Sequence, residues 1–405
     1  MRNKLAPKNE PVNYALLLPV FLLILIGFVA QYGAFKADPA IESFDPLLKK
    51  QLAWTILGFI SMFITMFIPI RYLWKFTPAI YALSLGLMSL LIPFHDPVMS
   101  AATGTKRWAR IGPFSFQPSE FVKLGYILML AYIITKRRQK TSDQATLKDD
   151  FRLLGEMVLV SLPVMALMFY QKDFGTSLVF MSIFVGMLLV SGCSWKILGT
   201  GFAALTALGV TGILLVLTEQ GQKILSFLHF KPYQFDRIHA WLNPFEYADS
   251  ISFQQARGLT AIGSGEMLGK GLSNLEVYVP VRESDMIFTV IGEAYGFVGT
   301  CILILLFFYL IYQMLICTLN AKREFYAYIT TGVIMYFLFH ILENIGSNIG
   351  LLPLTGIPLP FISQGGSAYL ANFIAIGLIL SMYYQKEKTD IYLPKEKEFV
   401  RVKST

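Results

Sequence analysis

Asp285 is the carboxylate whose position in the sequence most favours catalysis. It ends a long polar stretch and stands directly before an apolar run of membrane-spanning length. A carboxylate held at a membrane surface can act as a general base, taking a proton from an attacking hydroxyl. Aspartate is equally well suited to the N-cap of a helix, so the position also fits a structural role. The two roles are not exclusive, and the sequence leaves both open.

A basic segment earlier in the chain has the composition of an anion-binding site. Lys106, Arg107 and Arg110 surround Trp108. Arg and Lys donate readily to phosphate oxygens, so the segment predicts recognition of a phosphorylated ligand. Contact with lipid headgroups, with the Trp ring at the membrane interface, is the alternative.

Glu120 and Lys123 follow this segment and share one face of a predicted helix, because they are three residues apart. Both lie at or just inside the membrane boundary, where ionisable groups usually mark a functional cavity. A structural ion pair would have the same spacing. Other carboxylates in apolar surroundings are equally compatible with packed ion pairs: Glu156, Asp173, Glu293 and Glu343.

Segment 351–367 is apolar, yet it contains three prolines and three glycines and therefore cannot form a regular helix. At membrane depth, irregular backbone is tolerated only where it is buried in protein or lines a cavity. The segment therefore predicts a pocket wall that offers Ser363, Gln364 and backbone amides. A simple outer loop is the alternative. The glycine-rich stretch 263–271 lacks the spacing of a phosphate loop, which favours a flexible turn.

The elements that must position these residues are membrane helices. The chain has 405 residues, of which 55% are hydrophobic and only 15% charged, against about 25% charged in soluble domains. Apolar stretches of about 20 residues recur, the length that crosses the hydrocarbon of a bilayer. The sequence predicts an all-α polytopic membrane protein of about ten transmembrane helices, near 12–33, 50–69, 72–93, 118–136, 153–170, 174–191, 196–218, 286–318, 325–347 and 366–385.

Lys and Arg cluster in alternate loops and at both ends, which places the N- and C-termini in the cytoplasm. The large loop 219–284, between helices 7 and 8, is then extracellular, and residues 235–242 within it are predicted to form an amphipathic surface helix. Residues 1–385 form one membrane domain and 386–405 a basic cytoplasmic tail. The net charge of +8 indicates attraction to anionic headgroups rather than to nucleic acid. The cysteine and histidine spacings predict neither a disulfide framework nor a metal site.

In combination these motifs resemble the SEDS family of bacterial shape, elongation, division and sporulation proteins. The resemblance extends from the first helix to about residue 385. Its carriers are Arg107-Trp108 with 116–120, Asp173 to Thr176, Asn243-Pro244, 263–265 with 269–271, 285–288 with 291–293, and 351–367. Residues 355–363 look like the cell-elongation branch, RodA. Gln364 replaces a usual Tyr, and Ser284 and Met286 replace a usual Thr and Phe, whereas Asp285 is kept.

The resemblance implies a peptidoglycan glycosyltransferase of the cell membrane that polymerises lipid II, a disaccharide-pentapeptide on undecaprenyl pyrophosphate, during elongation and rod-shape maintenance. It assigns Asp285 as general base and Arg107, Lys123 and Arg237 to the leaving pyrophosphate, with or without a divalent cation (Mg²⁺ or Mn²⁺). Trp108, Glu120, Ser363 and Gln364 complete the expected substrate site. The implied partners are a class B penicillin-binding protein and other elongation-complex membrane proteins. A lipid II flippase and a non-catalytic scaffold for such a partner remain as alternatives.

Overall fold

The computed structural model describes residues 13–38, 45–111, 114–140, 146–227, 232–319 and 324–384. Within these ranges the secondary structure consists of helices and one short antiparallel pair of strands, in which Arg110 pairs with Ser115. In chain order the elements are α1 Tyr14–Ala37, α2 Asp45–Met66, α3 Ile70–Ser89, α4 Leu91–Phe94, α5 Pro97–Thr103, β1 Ala109–Ile111, β2 Phe114–Phe116, α6 Ser119–Lys140, α7 Leu147–Gln171, α8 Phe174–Val190, α9 Trp195–Val216, α10 Glu219–Phe227, α11 Pro232–Leu242, α12 Phe253–Ser264, α13 Ile287–Leu319, α14 Glu324–Asn348 and α15 Ser367–Tyr384.

Each of the ten predicted membrane segments coincides with a helix of the structure. Eight helical spans in the described residues are long and apolar enough to cross a bilayer: α1, α2, α3 with α4, α7, α9, α13, α14 and α15. Helix α8 is apolar but has only 17 residues, and α6 carries Glu120 and Lys123 near one end and a basic cluster at the other. The all-α membrane fold is therefore confirmed. The exact number of crossings and the sidedness stay predictions, and residues 1–12 and the tail 386–405 lie outside the described residues.

The centre of the fold is formed by α14 and α15, which are the most buried of the candidate spans. Helix α15 packs against α2, where Gly58 leaves room for the ring of Phe373. Helix α14 packs between α6 and α8, and α9 lies at the periphery with little of its surface buried. The centre is therefore where polar side chains are shielded from both lipid and water.

Helix α14 carries a polar face through this apolar centre. His340, Glu343, Asn344, Ser347 and Asn348 recur at the three- and four-residue spacing of one helix face, and all five are buried. Buried polar groups in a membrane protein need partners. Most of their partners lie in two irregular segments, the loop before α13 and residues 355–358.

The segment 219–284, which the sequence predicts as a polar loop, contains three helices, α10, α11 and α12. Helix α11 confirms a helix at 235–242. Phe235 is buried, Arg237 is exposed, and the Trp241 indole N–H donates to the Gly350 carbonyl at 3.0 Å. These contacts attach α11 to the turn that follows α14.

The glycine-rich turn 263–271 packs on a break in α13. Gly296 has φ +61°, which interrupts the helix there. The amides of Lys270 and Gly271, which a phosphate loop would offer to a ligand, donate instead to the carbonyls of Glu293 and Ala294, each at 2.9 Å. The turn therefore has a structural role. It fixes the start of the loop between α12 and α13, and Asp285 lies near the end of that loop.

Candidate functional site

The backbone around Asp285 is held by contacts from outside its own loop. The carbonyl of Glu283 accepts the Gln364 amide N–H at 2.8 Å, and the carbonyl of Ser284 accepts the Ser363 hydroxyl at 2.6 Å. The carbonyl of Asp285 accepts two side-chain amides of α14. Three successive peptide units are therefore fixed just before α13 begins.

The side chain of Asp285 has a free oxygen. Its Oδ1 atom is buried and has no hydrogen-bond partner among the residues that the structure describes, although the residue as a whole is partly exposed. Helix α13 begins at Ile287, two residues after Asp285, and the Oδ1 atom accepts no capping hydrogen bond from the described residues. The structural alternative for Asp285, a helix cap, is therefore not what the structure shows.

Burial raises the pKa of Asp285 to about 6. A hydrogen bond from its own backbone and the positive charges of Arg107 and Arg237 partly lower this pKa, whereas the negative charge of Glu283 raises it further. A carboxylate with a pKa near 6 is mostly ionised at neutral pH, yet it is a stronger base than an ordinary aspartate. This is the range in which a general base works best.

Arg107 and Asp285 converge on Gly356. A methyl group built on Gly356 would lie 3.6 Å from Asp285 Oδ2 and 3.8 Å from Arg107 Nη2. Gly356 has φ +76°, a left-handed conformation that suits glycine. Base, guanidinium and the wall at 355–356 therefore lie close together. Most of residues 355–363 are buried irregular backbone, as predicted for a pocket wall, whereas Leu351 and Leu352 are exposed.

Asp173 orients Arg107. The Arg107 Nη1 atom lies 3.4 Å from Asp173 Oδ1. Asp173 also caps α8 through the amide and hydroxyl of Thr176 and accepts the Gln117 side-chain amide at 3.4 Å. The Arg107 Nε atom is buried and has no partner among the described residues, so part of the donor capacity of the guanidinium is unused. Trp108 lies beside it, with its ring centroid 5.9 Å from the guanidinium carbon.

Glu120 and Lys123 form a buried pair rather than an open anion site. The Lys123 Nζ atom lies 2.8 Å from Glu120 and 3.1 Å from His340 Nε2, and it sits over the Tyr336 ring. Lys123 is only 1% exposed. This is the geometry of the structural alternative, and a direct contact between Lys123 and substrate stays a prediction.

The two polar residues predicted in the pocket wall act through different atoms. The Ser363 hydroxyl is occupied, because it donates to Ser284 and accepts the Leu359 amide at 2.8 Å. The Gln364 side chain is partly exposed, while its backbone amide holds Glu283. Ser363 thus braces the loop that carries the base. Arg237 is exposed on α11 and acts on Asp285 through its charge.

Several residues at this site were not chosen from the sequence. Gly356 contacts it directly, Asn344 and Asn348 hold Asp285, and Glu343, predicted above only as a packed carboxylate, accepts the Thr355 hydroxyl. The signal for the α14 residues was available, since polar residues spaced 3 or 4 apart within an apolar helix mark an inward face. No group of three or more His, Cys, Asp or Glu side chains with metal-binding geometry occurs in the described part of the chain.

Comparison with known proteins identifies the family to which the chain belongs. The family model for FtsW, RodA and SpoVE, described as cell cycle protein, matches residues 14–388. The chain belongs to this family of bacterial multi-pass membrane proteins, as its motifs predict.

The alignments with related proteins and with solved structures cover nearly the whole chain. The probable peptidoglycan glycosyltransferase FtsW of Trichlorobacter lovleyi is 30% identical, covering 91% of this chain and 92% of that protein. The stage V sporulation protein E of Bacillus subtilis is 29% identical, covering 93% and 98%. The rod shape determining protein RodA of Thermus thermophilus superimposes with a TM-score of 0.66 at 25% identity, covering 95% and 100%. A chain of a peptidoglycan synthase complex described as coordinating polymerization and crosslinking superimposes with a TM-score of 0.74 at 25% identity, covering 95% and 100%.

Proposed function

We propose that this chain is a peptidoglycan glycosyltransferase that polymerises lipid II into glycan strands, with Asp285 as general base. The observation that carries the proposal is the buried Oδ1 atom of Asp285, which has no hydrogen-bond partner among the described residues. The residue is rigidly held, and its carboxylate and the Arg107 guanidinium both lie close to Gly356. Family membership and relatives named as peptidoglycan glycosyltransferases support the reaction class.

The reaction is a single displacement at the anomeric carbon. The 4-hydroxyl of one sugar attacks this carbon, its proton passes to Asp285, and the bond to the lipid pyrophosphate breaks. The new glycosidic bond has inverted configuration, from α to β. Deprotonation as the bond forms makes the hydroxyl a better nucleophile, and such help is typically worth about 10²–10⁴-fold.

The leaving pyrophosphate needs positive charge. Arg107 has an unused donor and Arg237 is exposed nearby, so both are assigned to it. The described part of the chain holds no cluster of three metal-binding side chains, so a divalent cation, Mg²⁺ or Mn²⁺, would be held mainly by oxygens of the pyrophosphate itself. It would supply further positive charge to the leaving group.

Two finer assignments complete the proposal. Residues 355–363 support a role in cell elongation and rod-shape maintenance, which is tested by replacing the chain in cells and scoring cell width against septation. A class B penicillin-binding protein is the proposed partner, since a structural neighbour belongs to a complex that couples polymerization to crosslinking.

The enzyme is tested in proteoliposomes that contain the chain, its partner and defined lipid II. We expect Asp285→Ala to lose glycan-chain synthesis by about 10²-fold or more while lipid II binding is unchanged. Asp249→Ala is the matched control, because Asp249 is an exposed aspartate of the segment between α11 and α12. Its activity should equal that of the wild type.

Three outcomes would contradict the proposal. Normal chains from Asp285→Ala would exclude this residue as the base. Accelerated lipid II scrambling without polymer from the wild-type complex would favour a flippase, and polymer made only by an added second polymerase would favour a scaffold.

A further inference from the structure

Two asparagines of α14 converge on one atom of the proposed base residue. The Asn344 Nδ2 atom donates to the Asp285 carbonyl oxygen at 2.8 Å, and the Asn348 Nδ2 atom donates to the same oxygen at 2.9 Å. A carbonyl oxygen has two lone pairs, so its acceptor capacity is filled. The peptide unit that follows Asp285 is thus fixed from two directions by one helix face.

Asn344 also holds the opposite wall of the site. Its side-chain amide donates to the Ile357 carbonyl at 2.9 Å, next to Gly356, which faces Asp285 Oδ2. One amide group therefore sets the base and the wall relative to each other. Asn348 has no such second loop contact, since its other bond is to the Asn344 carbonyl in its own helix.

Asn344 and Asn348 are buried at a cost in stability, which indicates that they have a specific role. Both are essentially fully buried, and the Oδ1 atom of each has no hydrogen-bond partner in the described part of the chain. Burying an amide whose oxygen is unsatisfied destabilises a fold, so two apolar residues would suit helix packing better. What the asparagines provide is donors, and both sets of donors reach the Asp285 carbonyl.

We propose that Asn344 and Asn348 are positioning residues for Asp285, holding its peptide unit so that the carboxylate faces the attacking hydroxyl. The inference rests on the proposed function, in which Asp285 is the base. Neither asparagine touches the reacting atoms, and each acts through the carbonyl of residue 285. Small misplacements of a reacting group cost large factors in rate.

Asn348→Leu is the sharper test, because it removes one donor and leaves the Asn344 bonds to both loops in place. In the reconstituted complex we expect kcat for polymerisation to fall roughly 10-fold while KM for lipid II stays within about 2-fold. The matched control is Ser347→Ala. Ser347 is equally buried on the same helix, but its hydroxyl bonds only to the Asn344 carbonyl of its own helix, so kcat should stay at the wild-type value.

A second measurement separates positioning from general damage to the fold. In an Asp285→Ala background, Asn348→Leu should cause no further loss of the residual activity, because there is no carboxylate left to position. A variant that merely loosens the protein would lower the residual activity again. Asn348→Asp retains the shape but puts acceptor oxygens against the carbonyl, and should lower kcat at least as much as Asn348→Leu.

The outcomes distinguish this inference from the proposed function. If Asp285→Ala is inactive while Asn348→Leu and Asn348→Asp keep wild-type kcat, the positioning role is wrong and the base assignment stands. A rise in KM with unchanged kcat would also overturn it. If Asp285→Ala polymerises normally, the proposed function itself fails.

Discussion

The acid limb of the pH–rate profile is the most direct consequence of the site. Burial raises the pKa of Asp285 to about 6, and a general base acts only when ionised. Activity must therefore fall as pH decreases through 6. With a pKa of about 6, roughly 91% of the carboxylate is ionised at pH 7 and roughly 9% at pH 5, a loss of about ten-fold. An ordinary aspartate, with a pKa of about 3.9, would lose less than about 10% over the same interval.

The assay is the initial rate of lipid II polymerisation at low substrate concentration between pH 4.5 and 8. The rate then reports kcat/KM, whose pH dependence reflects the free enzyme. Return of each sample to pH 7 must restore full activity, which separates titration from acid unfolding. The assay is run in parallel with two variants of the same loop.

Glu283→Gln should move the acid limb to lower pH, because the negative charge of Glu283 raises the pKa of Asp285. Its backbone carbonyl, which accepts the Gln364 amide, is unaffected. Glu276→Gln is the control: its exposed carboxylate pairs with Lys270, so the limb should not move. A wild-type profile that stays flat down to pH 5, or a limb that Glu283→Gln moves upward, would refute the account of Asp285.

Two further predictions concern the walls of the site. Gly356→Ala would strain a left-handed position by about 1–2 kcal/mol and place a methyl 3.6 Å from Asp285 Oδ2. Polymerisation should therefore fall more than about 10-fold, with a modest drop in melting temperature. Gly104→Ala has similar strain, φ +69°, but open space around it, and equal losses from both would contradict the crowding argument. Arg282→Met breaks the buried Arg282–Glu293 pair and should cost about 3–5 kcal/mol, seen as a lower melting temperature in detergent. Adding Glu293→Leu should recover part of this loss, and no recovery would show that the unpaired Glu293 charge is not the cause.

The membrane helices were predictable because their signal is local. Every predicted segment coincides with a helix, since about 20 consecutive apolar residues have few other stable structures in a bilayer. The helix at 235–242 was equally visible from its amphipathic spacing. The contacts of this helix could not be predicted, because the hydrogen bond from Trp241 to Gly350 joins residues 109 apart in the sequence.

Part of the candidate site could be chosen from the sequence, but the arrangement of its parts could not. Residue types and family motifs selected Asp285 and Arg107, and the prolines and glycines of 351–367 indicated irregular backbone. The motifs also selected Lys123 and Ser363, whose polar atoms the structure shows to be occupied by protein partners. Spacing along the chain does not reveal which donors are already used.

The sequence by itself determined the class of fold, the family and the identity of the proposed base, because composition, apolar segment length and motif order are properties of the linear chain. The tertiary structure alone decided how Asp285 is held and why its pKa rises. Those properties depend on α14 and on residues 355–364, which reach Asp285 only after the helices have packed. Burial and hydrogen bonding are properties of the space around a residue, and that space is filled by distant parts of the chain.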